Sequence, residues 1–84
     1  MKLAWSSRAW NDYLHWQNSD KKKLKRINSL IKDTLRNPKD GIGNPEELKH
    51  EIQGFWSRRI DKQHRLVYSY IESELLIVAC RYHY

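Results

Sequence analysis

The sequence predicts an α+β fold in which two N-terminal helices pack on an antiparallel β-sheet. In the first 37 residues, apolar side chains recur at helical spacing. From residue 48 onward, short alternating apolar runs are separated by polar or glycine-containing turns. Eighty-four residues, of which 39% are hydrophobic, suffice for one core but not for two. We therefore expect a single domain that spans residues 1–84.

The first elements are a short strand and an amphipathic helix. The apolar run from Lys2 to Trp5 suits a strand, and Ser6 or Ser7 directly after it offers an N-cap. One face of the helix that follows carries its apolar residues, which are Trp10, Tyr13 and Leu14. Polar residues lie between them, and the helical pattern ends near Asn18.

A second helix follows after one or two residues, which predicts a tight αα-hairpin. Ser19 or Asp20 offers its N-cap, and Pro38 closes it because the residue before a proline resists the α conformation. The predicted buried stripe consists of Leu24, Ile27, Ile31 and Leu35, with Leu30 beside them. The basic residues fall mostly on the outer face and are Lys21, Lys22, Lys25, Arg26, Lys32 and Arg36.

The second half of the chain has the pattern of an antiparallel meander. Its candidate strands are Leu48–Ile52, Phe55–Ile60, Arg65–Ile71 and Leu75–Tyr82. The last strand is apolar on both faces over LLIVAC, so we expect it in the middle of the sheet, beside the first strand. Before the meander, the stretch from Asn44 to Glu47 predicts a tight turn or a single helical turn.

The charge balance favours a polyanionic partner. Sixteen Lys and Arg against ten Asp and Glu give a net charge of +6, which suits nucleic acid or an acidic protein segment. The single cysteine, Cys80, excludes an internal disulfide and favours a reducing compartment. No apolar run approaches the roughly 18–20 residues of a membrane helix, and no apolar signal-peptide segment is visible. We expect a cytoplasmic protein without membrane contact.

Arginines in the meander suggest a phosphate-binding face. Period two places Arg59 on the same face as Ser57, and Arg58 on the opposite face. We expect an open sheet face that presents Arg59, Arg65 and Arg81, because several guanidinium groups on one face must meet solvent or anions. The alternative is that these arginines are solvated or paired with nearby carboxylates, which are Glu46, Glu47, Glu51 and Asp61.

The spacing of histidine and cysteine predicts no metal site. His15 and His64 are predicted to be surface residues, on a helix flank and in a turn. His83 is penultimate and could be idle, although it continues an apolar strand and is flanked by two tyrosines that could hold it. Cys80 lies in the most apolar run, where a cysteine is usually an inert packing residue.

The segments PEELKHEIQGFWSRRIDKQHRLVY and CRYHY resemble the YoeB (Txe) toxins, a family of the RelE-like toxin–antitoxin superfamily. The similarity extends over the whole chain, including KLAWS at its start. It implies a microbial RNase fold, in which two N-terminal helices pack on a twisted antiparallel sheet. It also implies a ribosome-dependent endoribonuclease toxin (an mRNA interferase) that inhibits translation by cleaving mRNA in the ribosomal A site.

The same resemblance implies roles for individual residues. Glu46 matches the family's general base, Arg65 its transition-state stabiliser and His83 its general acid. Three further residues match supporting, substrate-binding positions, namely Lys49, Arg59 and Tyr84. Neither a metal nor another cofactor is implied. The implied partners are a YefM-like antitoxin, the 70S ribosome with its 16S ribosomal RNA, mRNA, and a second toxin copy in a homodimer.

These residue types fit metal-free RNA cleavage on chemical grounds. RNA carries its own nucleophile, the 2′-hydroxyl. An enzyme therefore needs a base for that hydroxyl, a cation for the charge on phosphorus, and an acid for the leaving 5′-oxygen. A carboxylate, a guanidinium and an imidazole supply these three functions.

Several alternatives stay open at this point. The chain could be a non-catalytic toxin on the same scaffold, as in gyrase-poisoning toxins, or a generic basic nucleic-acid-binding domain. The basic face of the second helix is either solvated or in contact with ribosomal RNA. Trp56 is either a core residue or a base-stacking platform.

Overall fold

The computed structural model describes residues 1–50 and 53–82. Two helices pack on a five-stranded sheet, which confirms the predicted α+β class. In chain order the elements are β1 (Lys2–Trp5), α1 (Ser7–Ser19), α2 (Lys21–Arg36), β2 (Glu46–Glu47), β3 (Trp56–Arg59), β4 (Arg65–Ile71) and β5 (Glu74–Ala79). Neither helix in these two segments is long and apolar enough to cross a membrane.

The helices begin at the residues that can cap them. Ser6 Oγ accepts the main-chain N–H of Ala9 at 3.0 Å, and its hydroxyl donates to the carbonyl oxygen of Val78 at 2.8 Å. The second contact attaches the start of α1 to the end of β5. Asp20 accepts the N–H groups of the first turn of α2 through its carboxylate. The caps are thus Ser6 and Asp20, one from each pair that the sequence offered.

The strand order is β1-β5-β4-β3-β2. β5 lies between β1 and β4, as its two apolar faces predict, and β2 to β5 pair antiparallel in succession. β1 runs parallel to β5, however, so the sheet is mixed rather than wholly antiparallel. A parallel pair needs a long crossover connection, and the helices and the other strands between β1 and β5 provide it.

β2 differs from the sequence prediction. The sequence indicated a turn up to Glu47 and a strand at Leu48–Ile52, whereas the strand consists of Glu46–Glu47. Residues 49 and 50 form a turn after it, and the prediction for residues 51 and 52 lies outside the described residues. A strand of two residues exists only through its pairing with β3, and alternation along the chain does not reveal a non-local pairing.

Two apolar clusters lie on opposite faces of the sheet. The buried members of the larger one, between sheet and helices, are Ala9, Trp16, Ile27, Leu30, Ile31, Ile60, Leu66, Tyr68, Leu75, Ile77 and Cys80. Trp56 is partly buried and packs against this helix-side cluster, on the side away from the open face. The smaller cluster consists of Leu48, Val67 and Ala79, with Phe55 and Val78 packed against them.

The face of the sheet opposite the helices is termed the open face. Residues directly opposite each other in an antiparallel pair project to the same side. The strand register therefore assigns to the open face the residues Glu46, Ser57, Arg59, Arg65, Val67 and Ala79. All described members of the smaller cluster come from outside the helices, in agreement with this assignment.

A β-bulge in β5 determines which of its residues reach the open face. Val67 pairs with Ala79, but Tyr68 pairs with Ile77, so Val78 is an extra residue between two registered pairs. Ile77 packs in the helix-side cluster, whereas Val78 and Ala79 both pack in the open-face cluster. Strict alternation would have placed Ala79 under the helices, on the same side as Ile77.

Candidate active site on the open face

A carboxylate and a guanidinium meet on the open face. Arg65 Nη1 lies 3.3 Å from Glu46 Oε1 and donates a hydrogen bond to Ser57 Oγ at 3.2 Å. The Glu46 side chain is 54% exposed and the Arg65 side chain 26%, so solvent reaches both. The structure therefore brings together the two residues for which the resemblance implied the roles of base and stabiliser.

Arg65 keeps unused donors beside a second arginine. Both of its side-chain contacts are made by Nη1, and its Nε and Nη2 donate to no residue within 1–50 and 53–82. Arg59 of β3 lies directly opposite Arg65 in the register and is exposed. Two neighbouring guanidinium groups on one face favour an anion between them.

Lys49 is not bonded to this pair in the described part of the chain. It is exposed in the turn after β2. In the described part of the chain, it makes no hydrogen bond or ion pair with Glu46 or Arg65. The structure thus places Lys49 on the surface next to the strand that carries Glu46, without joining it to the site.

The main chain of Tyr82 is fixed beside the Glu46–Arg65 pair. The N–H of Arg65 donates to the carbonyl oxygen of Tyr82 at 2.8 Å, and the N–H of Tyr82 donates to Nδ1 of His64 at 2.7 Å. His83 follows Tyr82 directly in the sequence. His83 and Tyr84 themselves lie outside the described residues. The residue that precedes the predicted general acid is therefore hydrogen-bonded to the predicted stabiliser.

His64 is buried, and the prediction of a surface position was wrong. It is 8% exposed, and its ring packs edge-on against the Trp16 ring at a centroid distance of 4.8 Å. Burial lowers the pKa of the imidazole below its usual range, which favours the neutral ring that can accept a hydrogen bond. The turn sequence DKQH gave no sign of this, because the residue that covers His64 comes from α1.

Arg81 follows the bulge and is half-buried. Its guanidinium lies over the Tyr82 ring, with Cζ 4.8 Å from the ring centroid. Its Nε is buried and has no hydrogen-bond partner among the described residues. Of the three arginines predicted for the open face, Arg59 and Arg65 occupy it by register, whereas no described strand pairing fixes the face of Arg81.

Arg58 lies on the opposite side of β3, where its contacts hold the fold together. Its side chain is fully buried and donates five hydrogen bonds. Its partners are Asp33 Oδ2, Tyr68 Oη and the carbonyl oxygens of Asn37, Asp40 and Ile42. Period two correctly predicted that Arg58 faces away from Arg59. The composition of residues 37–44 predicts a loop, but nothing in the sequence indicates that this loop encloses Arg58.

The Asp33 carboxylate is held ionised by its neighbours. Hydrogen bonds from the Arg36 side chain, the Ile42 N–H and the Arg58 side chain lower the pKa of Asp33 to about 2. Gly41 closes over this group with φ +130°, and a Cβ there would overlap Asp33 Oδ2. The glycine thus allows the loop to cover a buried ion pair.

Cys80 is a buried packing residue, as predicted. Burial raises the pKa of its thiol to about 12, so the sulfur stays protonated at neutral pH and is a poor nucleophile. Its Sγ lies 3.7 Å from the carbonyl oxygen of Ala9 under the helices. Residues 1–50 and 53–82 contain no group of three His, Cys, Asp or Glu side chains that could hold a metal ion.

Comparison with known proteins identifies the family. The model of the YoeB-like toxins of bacterial type II toxin–antitoxin systems matches residues 5–84. The chain belongs to the YoeB toxin family. Toxin YoeB of Escherichia coli (strain K12) is 61% identical over 84 residues, which is 100% of both chains. The resemblance read from FWSRRI, HRLVY and CRYHY is thereby confirmed at the level of the family.

Solved structures of YoeB toxins have the same fold. The YoeB/ParE toxin from Agrobacterium tumefaciens matches with a TM-score of 0.96 at 44% identity over 100% of both chains. The YoeB dimer from Staphylococcus aureus gives a TM-score of 0.92 at 44% identity, over 100% of this chain and 98% of that one. A heterotetrameric YoeB–YefM toxin–antitoxin complex from Staphylococcus aureus gives 0.90 at 44% identity, with the same coverage.

Proposed function

We propose that this YoeB-family chain is a ribosome-dependent endoribonuclease that cleaves mRNA in the ribosomal A site and thereby inhibits translation. The reaction is metal-independent acid–base cleavage in which the RNA 2′-hydroxyl attacks the adjacent phosphate. The observation that carries the proposal is the contact of Glu46 with Arg65 on the open face, at 3.3 Å. The 84 residues act as one toxin domain in the cytoplasm.

Glu46 is the general base and Arg65 the transition-state stabiliser. The Glu46 carboxylate lies exposed on an edge strand, where a ribose 2′-hydroxyl can approach from solvent. A base next to a guanidinium suits this attack, because the 2′-oxygen and the phosphorus it attacks are themselves neighbours along the RNA. The Nε and Nη2 donors of Arg65 are available to the charge that develops on the phosphate oxygens.

His83 is the general acid that protonates the departing 5′-oxygen. The supporting observation is that Tyr82, directly before it, has its carbonyl oxygen bonded to the N–H of Arg65. Transfer of the 2′-hydroxyl proton to the base and of the His83 proton to the leaving oxygen yields a 2′,3′-cyclic phosphate and a 5′-hydroxyl. Lys49, Arg59 and Tyr84 support binding of the substrate, the two cations through flanking phosphates.

Primer extension on mRNA bound to purified ribosomes tests the activity and the roles together. We expect a single A-site cut by the wild type, unaffected by a chelator. Glu46→Gln and His83→Ala should each lower the cleavage rate about 10²–10⁴-fold. Glu47→Gln is the matched control, because Glu47 is the next exposed carboxylate but pairs with Trp56, on the other side of the sheet.

Three outcomes would contradict parts of this proposal. Near-native cleavage by His83→Ala or Glu46→Gln would remove that residue from the mechanism. Growth arrest without any cut, retained in both variants, would identify a non-catalytic toxin. Uniform RNA binding with neither cleavage nor arrest would identify a generic nucleic-acid-binding domain.

We infer that a YefM-like antitoxin neutralises the chain and that the toxin can form a homodimer. The Staphylococcus aureus relatives support both, as a YoeB–YefM heterotetramer and as a YoeB dimer. A net charge of +6 and exposed cations on the open face favour an acidic, disordered segment that folds on binding.

Equimolar antitoxin should abolish the A-site cut, and Arg59→Glu should weaken antitoxin binding. Unimpaired cleavage in the complex would contradict the inference.

The first turns of α2 contact ribosomal RNA phosphates in this proposal. Lys21, Lys22 and Lys25 are exposed on the outer face of the helix. Reversing their charges should weaken ribosome binding. The slope of the logarithm of the binding constant against the logarithm of the salt concentration should become shallower by about 0.7–0.9 for each lost phosphate contact. Unchanged binding would identify a plain solvated face.

A further inference from the structure

Tyr82 is held through both of its main-chain polar groups by two consecutive residues. The Arg65 N–H binds its carbonyl oxygen at 2.8 Å, and His64 Nδ1 accepts its N–H at 2.7 Å. The His64 main chain is fixed in turn, because its N–H donates to Asp61 Oδ1 at 2.8 Å. The position of Tyr82 therefore depends on the turn between β3 and β4, a segment remote from it in the sequence.

We propose that His64 is a positioning residue for the ribonuclease reaction: its neutral imidazole holds the Tyr82 N–H and so fixes the point at which the chain enters His83. The inference rests on the proposed function, since it assigns the general acid to His83. His64 contacts neither substrate nor reacting atoms in this account. Its effect on the reaction passes through the Tyr82 main chain.

The backbone of Tyr82 needs such a support. Its φ is +64°, in the left-handed region that residues other than glycine rarely adopt, and bulky residues least of all. A conformation of this kind costs on the order of 1 kcal/mol or more and persists only where surrounding contacts enforce it. Tyr82 is 54% exposed, so its main-chain hydrogen bonds supply much of that support. Without the His64 acceptor, we expect this residue to relax toward negative φ.

The surroundings of His64 keep the ring neutral. The Trp16 and Tyr82 rings cover it, with centroid distances of 4.8 and 5.8 Å, and this burial is the main reason for its lowered pKa. The charged and titratable groups that act on it come from each packed element and are Asp61, Lys23, Arg81 and His15. Asp61 alone favours the imidazolium, and it is itself bound by Lys23.

Protonation would convert the acceptor into a donor. An imidazolium carries N–H groups at both nitrogens, so Nδ1 could no longer accept from Tyr82. Because the folded-state pKa is below the usual 6.5, the bond is intact at neutral pH and is lost as the pH falls through the lowered value. The neutral ring is therefore the form that positions Tyr82.

Two substitutions of His64 distinguish a role as hydrogen-bond acceptor from a role in packing alone. In His64→Asn the side-chain oxygen can take the place of Nδ1 without titrating, whereas His64→Leu fills space without an acceptor. In single-turnover cleavage at saturating ribosomes, we expect the leucine variant to lose about 100-fold in rate, as for a misplaced catalytic group. We expect rescue to within about tenfold by asparagine, and the ratio of asparagine-variant to wild-type rate should rise as the pH falls through the lowered pKa of His64.

Hydrogen exchange of the Tyr82 amide tests the same bond in the free protein. Protection should be high in wild type and His64→Asn and lost in His64→Leu. In the wild type, this protection should decrease as the pH is lowered, with the same midpoint as the protonation of His64 that imidazole ¹⁵N shifts report. This measurement needs no variant to fold. Protection that ignores this protonation, or equal cleavage by both variants, would overturn the positioning role. If the wild type cleaves nothing, the proposed function fails, and exchange still decides whether His64 holds Tyr82.

Discussion

Two arginines of neighbouring strands, Arg58 and Arg65, show how the two faces of the sheet differ. Arg58 lies on the helix side with a side-chain exposure of 0%, and its five hydrogen bonds use the full donor capacity of a guanidinium. Arg65 lies on the open face with 26% exposure, and only its Nη1 makes contacts to described residues. The first group is saturated by the fold, whereas the second has donors left for a ligand.

This difference separates structural from functional roles among side chains of one type. A buried guanidinium with all donors satisfied stabilises the fold and cannot bind substrate without breaking it. A partly exposed guanidinium with long contacts of 3.2 and 3.3 Å contributes little to stability, because water competes for the same groups. Replacement of Arg58 should therefore lower stability. Replacement of Arg65 should lower activity and change stability little.

The largest effect on stability is expected from Arg58→Met. This substitution removes the Arg58 donors from Asp33 and from three carbonyl oxygens, and breaking such a buried network costs about 3–5 kcal/mol. Urea unfolding measures the loss. The matched control is Arg65→Met, for which we expect a change within about 1 kcal/mol. Equal destabilisation by the two variants would remove the distinction between the faces.

Arg65→Gln is expected to lower the rate of A-site cleavage about 10²–10³-fold while leaving the protein folded. The amide cannot supply the positive charge that the phosphate requires in the transition state. Single-turnover cleavage on ribosomes is the measurement, with thermal unfolding as the test of integrity. A variant that cleaves normally would show that the unused donors of Arg65 have no catalytic role.

Acid should act on the helix side through Asp33. Its folded pKa of about 2 lies below the ordinary value of 3.8, so the stabilisation is present above about pH 4 and is lost as the pH falls toward 2. Urea unfolding of wild type and Asp33→Asn between pH 2 and 5 should show a steeper loss in wild type. Parallel curves would mean that the carboxylate contributes no pH dependence.

The smallest effect is expected from Ser57→Ala. The hydroxyl is buried on the open face and accepts from Arg65 at 3.2 Å. Its removal should change the free energy of unfolding by about 0.5–1.5 kcal/mol. Looser placement of Arg65 should lower cleavage by about tenfold or less. A loss as large as that of Arg65→Gln would mean that Ser57 contributes more than orientation.

Elements set by local signals could be predicted from the sequence. Helical periodicity and capping side chains predicted both helices, and the apolar faces of LLIVAC predicted that β5 lies inside the sheet, where it is found between β1 and β4. Period two also separated Arg58 from Arg59 correctly. Within the site, the resemblance grouped Glu46 with Arg65, but their contact depends on β2 and β4 flanking β3, which the sequence did not predict.

Features set by distant segments could not be predicted. The short strand β2 depends on pairing with β3, and the parallel direction of β1 depends on the path of the whole chain. The burial of His64 depends on Trp16, 48 positions earlier in the printed sequence. In each case the deciding partner lies outside any window in which composition or periodicity operates.

The bulge at Val78 determines where β5 can change in length. Loss of Val78 itself would leave Tyr68 paired with Ile77 and Val67 paired with Ala79, so Ala79 would stay on the open face and Cys80 in its contact with Ala9. One residue added to the regular part of the strand would instead exchange the sides of all residues beyond it, unless a second bulge absorbed the addition. Single-residue differences in the length of this strand among functional homologues should therefore fall at the bulge.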